Sequence, residues 1–295
     1  MRCPICIEKQ TEISDLNKRG VTFKKYGSYR RKSDSRTIQR FFCFRCKKTY
    51  SHAIKDPAYN QKKRRVNNIL IKFFSSSVSL RRLARLLGVS RTTVARKLIF
   101  LGQLCREEQA LYLEKLEGKI SYIQFDELQT IEHTKCKPLA VATAVSVKDR
   151  KILGITVAKM PATGHLAKIS RKKYGIRPDD RQEKLRNLFD TIKKTLSKKP
   201  LIRSDQHPYY KPIIKDFFPT ALYKQTKGEK AAITGQGELK KQGNDPLFCI
   251  NHTLAMLRAN INRLVRKTWC TTKDPARLLD HLSIYISVHN QLLTA

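Results

Sequence analysis

The sequence predicts a multidomain chain in three parts: a small cysteine-stapled β module, an all-α segment, and a mixed α/β domain. Three observations carry that division. Two Cys-x-x-Cys pairs, Cys3 with Cys6 and Cys43 with Cys46, mark the first part. The stretch from Pro57 to Arg106 then has no acidic residue and twelve Lys or Arg. Beyond it, β-branched runs give way to amphipathic helical patterns up to the last residues. The boundaries are expected at 1–56, 57–118 and 119–295.

The charge balance narrows the function. With 61 Lys and Arg against 24 Asp and Glu, the formal net charge is +37. An excess of that size implies a polyanionic partner, and nucleic acid is the default. A membrane is the weaker reading, because no apolar run approaches 18 residues. No basic segment followed by an apolar one opens the chain, so no secretion signal is read. A cytoplasmic, nucleoid-associated location is expected. There, Cys-x-x-Cys pairs read as metal ligands rather than disulfides. Cys105, Cys136, Cys249 and Cys270 are scattered and read as small buried apolar residues.

In the first part, two hooks supply four thiolates, the donor set of tetrahedral Zn²⁺. The interval between hooks is longer than usual. It leaves room for a β-hairpin carrying Tyr26, Tyr29, Phe41 and Phe42. So small a segment has little core, so the metal would supply its folding energy and act structurally, as in a zinc ribbon. A redox dithiol would need one hook beside a βαβ pattern, and none is present. Arg40, Arg45, Lys47 and Lys48 around the second hook either touch phosphates or face solvent.

In the second part, Val66 to Phe74 reads as a supporting helix and Ser75-Ser76-Ser77 as a break. Ser79 to Leu98 then reads as helix, short turn, helix. Ser79 and Ser90 are N-caps and Gly88 makes the turn. Leu83, Leu87, Val94 and Leu98 form the contact, and Ala84 lets the helices approach. This is the helix-turn-helix pattern. An ordinary helical hairpin has the same pattern, and the surrounding charge favours double-stranded DNA. The second helix would lie in the major groove with Arg91, Thr92, Thr93 and Arg96 near its leading end. Arg81 and Arg82 on the first helix are further candidate DNA contacts. Residues 99–118 form an amphipathic connecting helix.

In the third part, strands at 120–126, 138–147 and 151–159 are expected as an antiparallel meander, with a turn at Lys148-Asp149-Arg150. The basic insertion from Pro161 to Asp180 either grips a backbone or is a solvated loop. Helix 181–197 carries Leu185, Leu188, Phe189, Ile192 and Leu196 on one face. Strand 200–204, a helix from Tyr209 to Phe217 and a strand from Ala221 to Lys224 follow. Residues 225–246, with Gly228, Gly235, Gly237 and Gly243, read as a mobile loop about as long as compact domains tolerate without function. A helix from Leu247 to Arg266 then buries Ile250, Leu254, Leu257, Ile261 and Leu264. A last helix runs from Pro275 to His289.

Two of these strands end on a carboxylate, Ile120 to Asp126 and Pro200 to Asp205. Asp commonly opens the turn after a strand, which is the plain alternative. A three-strand meander followed by helix–strand units is, however, the ribonuclease-H-like order. There the first and fourth strands lie side by side, so Asp126 and Asp205 would meet. Two close carboxylates bind hard divalent cations, Mg²⁺ or Mn²⁺, through oxygen. Two such ions about 3.5–4 Å apart clamp an in-line phosphoryl displacement. Without metal, the carboxylates would repel and one would tend to stay protonated.

The residues also carry a family resemblance. The matching stretches are Cys3-x-x-Cys6; Arg40 through Cys43 and Cys46 to Ser51; the helix-turn-helix; Phe125-Asp126-Glu127-Leu128; Ser204-Asp205-Gln206-His207-Pro208-Tyr209-Tyr210; and Asn251 through Arg258 to Thr268. Each is weak alone, and together they cover the whole chain in order. The chain resembles the zinc-ribbon, helix-turn-helix, DDE-type transposases of bacterial insertion sequences, closest to the insertion sequence one group and its relatives. The resemblance implies an α/β ribonuclease-H-like catalytic domain in which Asp126 and Asp205 are the first two metal carboxylates. It implies Arg258 as a DNA phosphate contact. The family's third acidic position, usually Glu, is Asn251 here, which would offer an amide oxygen to Mg²⁺. Glu238 or Asp245 from the preceding loop are the rival third ligands. The activity implied is cleavage of element ends and their joining to target DNA by a homo-oligomer. A DNA-binding regulator without catalysis and a ribonuclease-H-like nuclease are the alternatives.

Overall fold

The computed structural model describes residues 3, 4, 6, 22–227, 245–265 and 268–293. The chain forms two compact units, 1–69 and 70–295. The helices expected as a separate part at 57–118 therefore fall mostly into the unit that holds the large sheet.

In the first unit, β1 (Phe23–Arg30), β2 (Thr37–Cys43) and β3 (Thr49–Ser51) form an antiparallel sheet in the order β1-β2-β3. The hairpin aromatics lie on the two strands, Tyr26 and Tyr29 on β1 and Phe41 and Phe42 on β2. The third strand, unforeseen in the sequence, pairs Phe41 with Tyr50, whose rings stack at 5.7 Å. The buried cluster here is Cys3, Phe41, Cys43 and Tyr50. Two of its four members are thiols, so apolar burial alone gives this unit little stability.

The helix α1 (Asn67–Phe74) leads into the second unit. There α2 (Leu80–Leu86) and α3 (Arg91–Glu114) follow. The N-caps sit where the sequence puts them: Ser79 Oγ accepts from Arg82 N at 3.3 Å, and Ser90 Oγ from Thr93 N at 3.1 Å. Gly88 turns the chain with φ +58°, a conformation Gly adopts without steric cost. Two expected helices, the second of the pair and the connector, are one continuous helix, α3.

The large sheet is built from β4 (Ile120–Glu132), β5 (Thr134–Ser146), β6 (Ile152–Lys159), β7 (Leu196–Asp205) and β8 (Leu222–Thr226). Its order is β6-β5-β4-β7-β8. The first three strands are an antiparallel meander, β7 runs parallel to β4, and β8 parallel to β7. The first and fourth strands of this domain are thus neighbours. Side chains alternate across the sheet. Ile123 and Phe125 face α5 (Arg181–Ile192) and α6 (Tyr210–Phe217), in a cluster with Leu188, Phe189, Ile202 and Tyr210. Leu128 faces α7 (Phe248–Asn260) and α8 (Pro275–Leu292), in a cluster with Val141, Ile250, Leu257 and Leu282.

Three expected elements differ. The helix at 181–197 stops at Ile192, because Leu196 pairs with Ile120 and so begins β7. The basic insertion contains a helix, α4 (Leu166–Tyr174), anchored where Ser170 Oγ donates to Cys136 O at 2.7 Å. The helix expected to reach Arg266 ends at Asn260, where Ser77 takes the terminal carbonyls: its N–H donates to Asn260 O at 2.7 Å and its Oγ to Ala259 O at 2.6 Å.

Two further contacts fix α3 against the sheet domain. Gly102 packs on α8 so closely that an added Cβ would lie 2.6 Å from Asp280 Cβ. Gln109 Nε2 donates to the carbonyls of Ile152 and Leu153 on β6, at 3.1 and 3.0 Å. No helix among the described residues is long and apolar enough to cross a membrane.

Candidate functional site

The first candidate site is the cysteine cluster of the small unit. The sulfurs of Cys3, Cys6, Cys43 and Cys46 all lie within 4.8 Å of one another. Cys3 and Cys46 sulfurs are 3.8 Å apart, as are those of Cys6 and Cys43. Four ligands placed tetrahedrally at a Zn–S distance of about 2.3 Å would put sulfurs about 3.8 Å apart. None of the four is joined in a disulfide. In the thiol form, burial and the neighbouring sulfurs push Cys6 up to about 12. Burial also works against the Cys43 thiolate, but the N–H groups of Cys46 and Arg45 outweigh it and lower that thiol. A divalent metal resolves this crowding by replacing the protons. The cluster can therefore hold a structural metal such as zinc.

The second candidate site lies at the ends of β4 and β7. Their parallel register pairs Gln124 with Arg203. Two residues further along each strand come Asp126 and Asp205, so the two carboxylates stand side by side. The alternation that turns Phe125 and Ile202 toward α5 and α6 turns both aspartates to the opposite face, the one α7 covers. Burial pushes Asp126 up to about 7, and the charge of Asp205 adds to the rise; the Glu127 N–H, 2.6 Å from Asp126 Oδ1, and Arg258 pull the other way. Burial also raises Asp205, against the pull of His207. Asp205 Oδ1 is buried and finds no hydrogen-bond donor among the described residues. Two desolvated carboxylates, one with an orphaned oxygen, suit a hard divalent cation.

Gln124 holds α7 over this face, and its importance is not evident from the sequence. Its Oε1 accepts from Ile250 N at 3.1 Å and its Nε2 donates to Pro246 O at 2.9 Å. It is buried, and a polar residue inside an apolar strand is the one clue to such a clamp. Asn251 follows Ile250 directly. Its Nδ2 donates to Asp245 Oδ2 at 2.8 Å. Its Oδ1 is the end of the amide whose chemistry suits a hard cation. Asp245 also accepts from Leu247 N at 2.8 Å, in a local turn just before α7. Glu238, the other rival ligand, lies outside the described residues. Arg258, two turns along α7, is near enough for its charge to act on Asp126.

Next to Asp126, Glu127 points to the other face. There Tyr209 OH donates to its Oε1 at 2.6 Å, and the Arg181 guanidinium lies 5.6 Å from the Tyr209 ring centroid. These groups support the end of β4 from behind.

At the helix pair, Arg81, Arg82, Arg91, Thr92 and Arg96 are exposed. Thr93 is half-buried, with its hydroxyl 2.9 Å from Ser90 Oγ, so it serves the cap rather than standing free for a partner. No protein-family model matches the chain, and no curated protein matches it.

Proposed function

We propose that this protein is a DDE-type transposase, with Asn251 in place of the usual third acid. It binds the double-stranded ends of its element and target DNA, and it cuts and joins strands by divalent-metal-dependent phosphoryl transfer. The observation that carries this reading is the pair Asp126 and Asp205 on adjacent parallel strands, desolvated and turned to one face. The meander followed by parallel strands on the other side of β4 supports a ribonuclease-H-like domain.

In this reading Asp126 and Asp205 hold Mg²⁺ or Mn²⁺, with Asn251 contributing an amide oxygen. Such ions, when bound, activate the attacking oxygen and steady the leaving oxygen of a phosphodiester. Desolvation of the carboxylates makes their affinity for a cation stronger than it would be in water. Arg258 holds the phosphate beside Asp126 by charge-assisted hydrogen bonds. Gln124 keeps α7, and so both Asn251 and Arg258, in register with the strand ends. The pair α2 and α3 acts as the helix-turn-helix, with Arg91, Thr92 and Arg96 toward the major groove and Arg81 and Arg82 toward the backbone. Because α3 continues into the contact with α8 through Gly102, DNA held at its leading end is held in a fixed relation to the sheet. The four-cysteine module is a structural zinc ribbon.

A regulatory role without catalysis is favoured by one observation, the missing charge at Asn251. The test is strand cleavage and joining on duplexes carrying the DNA that flanks this coding sequence. Cleavage in Mg²⁺ or Mn²⁺ by the native protein is expected, with complete loss in Asp126→Asn and Asp205→Asn and retained DNA binding in both. DNA binding without cleavage in either metal overturns the reading in favour of the regulator. Hydrolysis without joining leaves a nuclease.

A further inference from the structure

We infer that the small unit carries a second DNA-binding site, a sequence-independent clamp for the phosphodiester backbone between its hairpin turn and the segment 62–65. The inference rests on DNA being the partner, and not on the chemistry at Asp126 and Asp205.

A cavity of about 560 Å³ opens between the two segments. Lys32, Asp34 and Ser35 line one side, and Lys62, Lys63 and Arg65 the other. Residues 22–69 of this unit hold fifteen Lys or Arg and only two acids, Asp34 and Asp56. Both acids are already taken. Arg31 forms a two-pronged pair with Asp34, one arm of it at 2.8 Å. Arg64, whose side chain is only 8% exposed, pairs with Asp56. Lys32, Lys62, Lys63 and Arg65 are exposed and have no acid left to pair with among the described residues of the unit. Four cations around one cavity repel each other unless an anion enters.

The backbone holds them there. Arg31 N donates to Arg36 O and Ser35 N to Arg31 O, both at 2.8 Å, which closes the hairpin turn. Ser35 and Lys63, one on each side, are non-glycine residues with φ of +59° and +52°. Such a conformation is sterically unfavourable for a residue with a side chain and persists where surrounding structure imposes it. On the second side, the Arg64 pair and the buried Val66 fix the segment from within.

The lining selects the ligand class. It contains no aromatic and no aliphatic side chain, so it offers nothing to stack on a base or to hold an acyl chain. Lys and Arg at two sides of an open cavity suit a run of phosphates, and such contacts position a duplex without reading it.

The test uses the full chain and a random-sequence duplex. The variant Lys62→Ala/Lys63→Ala/Arg65→Ala is compared with the native protein over a salt series. Each phosphate contact contributes about 0.9 to the slope of log K against log salt, so the slope should fall by about 2 to 3. Affinity at low salt should fall about tenfold or more, with zinc content unchanged and with binding restored in Lys62→Arg/Lys63→Arg carrying native Arg65. An unchanged slope in a variant that retains its zinc overturns the inference. So does loss of binding to phosphatidylserine vesicles alone, with the DNA slope intact. Because the readout is binding, the result is independent of whether the native protein cleaves DNA.

Discussion

The two units of this chain are stabilised by different means. The large unit sandwiches a five-stranded sheet between two apolar clusters, one under α5 and α6 and the other under α7 and α8. The small unit has a buried cluster of four side chains, two of which are thiols. Its sheet has one three-residue strand, and residues 22–69 carry fifteen Lys or Arg against two acids. A domain with so little core depends on a staple. The difference teaches where each kind of residue carries weight: in the small unit cysteines make up half of the buried cluster, whereas in the large unit apolar side chains fill both clusters and buried polar groups such as Gln124 and Asp280 are held by hydrogen bonds or ion pairs.

The largest effect should come from removing the staple. Structural zinc contributes about 10–16 kcal/mol to folding in small modules. Cys43→Ser, or treatment with a strong chelator, is expected to abolish the folded signals of residues 22–69 in an NMR spectrum while the melting transition of the large unit stays in place. Zinc at one atom per chain in Cys43→Ser, or simultaneous loss of both units, would break the contrast.

The second effect belongs to the large unit. Gly102→Ala places a methyl group 2.6 Å from Asp280 Cβ and 2.8 Å from Asp280 O. Neither atom belongs to a flexible side-chain end, so α3 and α8 must separate. Overpacking of this kind costs about 3 kcal/mol. Calorimetry should show a lower transition for the large unit, with zinc content unaffected. An unshifted transition would mean that α3 is not locked to the sheet domain.

A smaller effect sharpens the account of the carboxylates. The folded protein holds Asp126 at about 7, above its usual 3.8. A group raised in this way binds its proton more tightly in the folded state. It therefore adds stability below about pH 4, and that stability is lost as pH rises through about 7. Metal-free protein should accordingly weaken between these values. Asp126→Asn, neutral at every pH, should be more stable than the native chain at pH 8 by on the order of 2 kcal/mol. Added Mn²⁺ should narrow the gap. Denaturant titrations at pH 5 and pH 8 check this, and equal native-to-variant differences at both would remove the charge argument.

Much of this was legible from residue types alone. The two Cys-x-x-Cys pairs signalled a metal cluster, because thiolate spacing is set by coordination geometry over a few residues. Ser79 and Ser90 were legible as caps because capping is local. Asp126 and Asp205 could be paired because strand order follows from the sequence of elements. What was hidden depends on distant partners. Leu196 leaves the helical pattern because Ile120 offers it a strand. The helix α7 ends early because Ser77, far away in sequence, satisfies its last carbonyls. Gln124 looks like an interruption in an apolar strand until Ile250 and Pro246 supply its partners. Gly102 looks like a weak point in a helix until Asp280 occupies the space where its side chain would be.

The central claim is that Asp126 and Asp205 form one divalent-cation site, and Mn²⁺ binding to the zinc-loaded protein tests it most directly. Titration followed by electron paramagnetic resonance at pH 8 should show Mn²⁺ bound by the native chain. Binding should be lost in Asp126→Asn and in Asp205→Asn, and weakened in Asn251→Ala. Unchanged Mn²⁺ affinity in both aspartate variants, with their folds intact, would contradict the account.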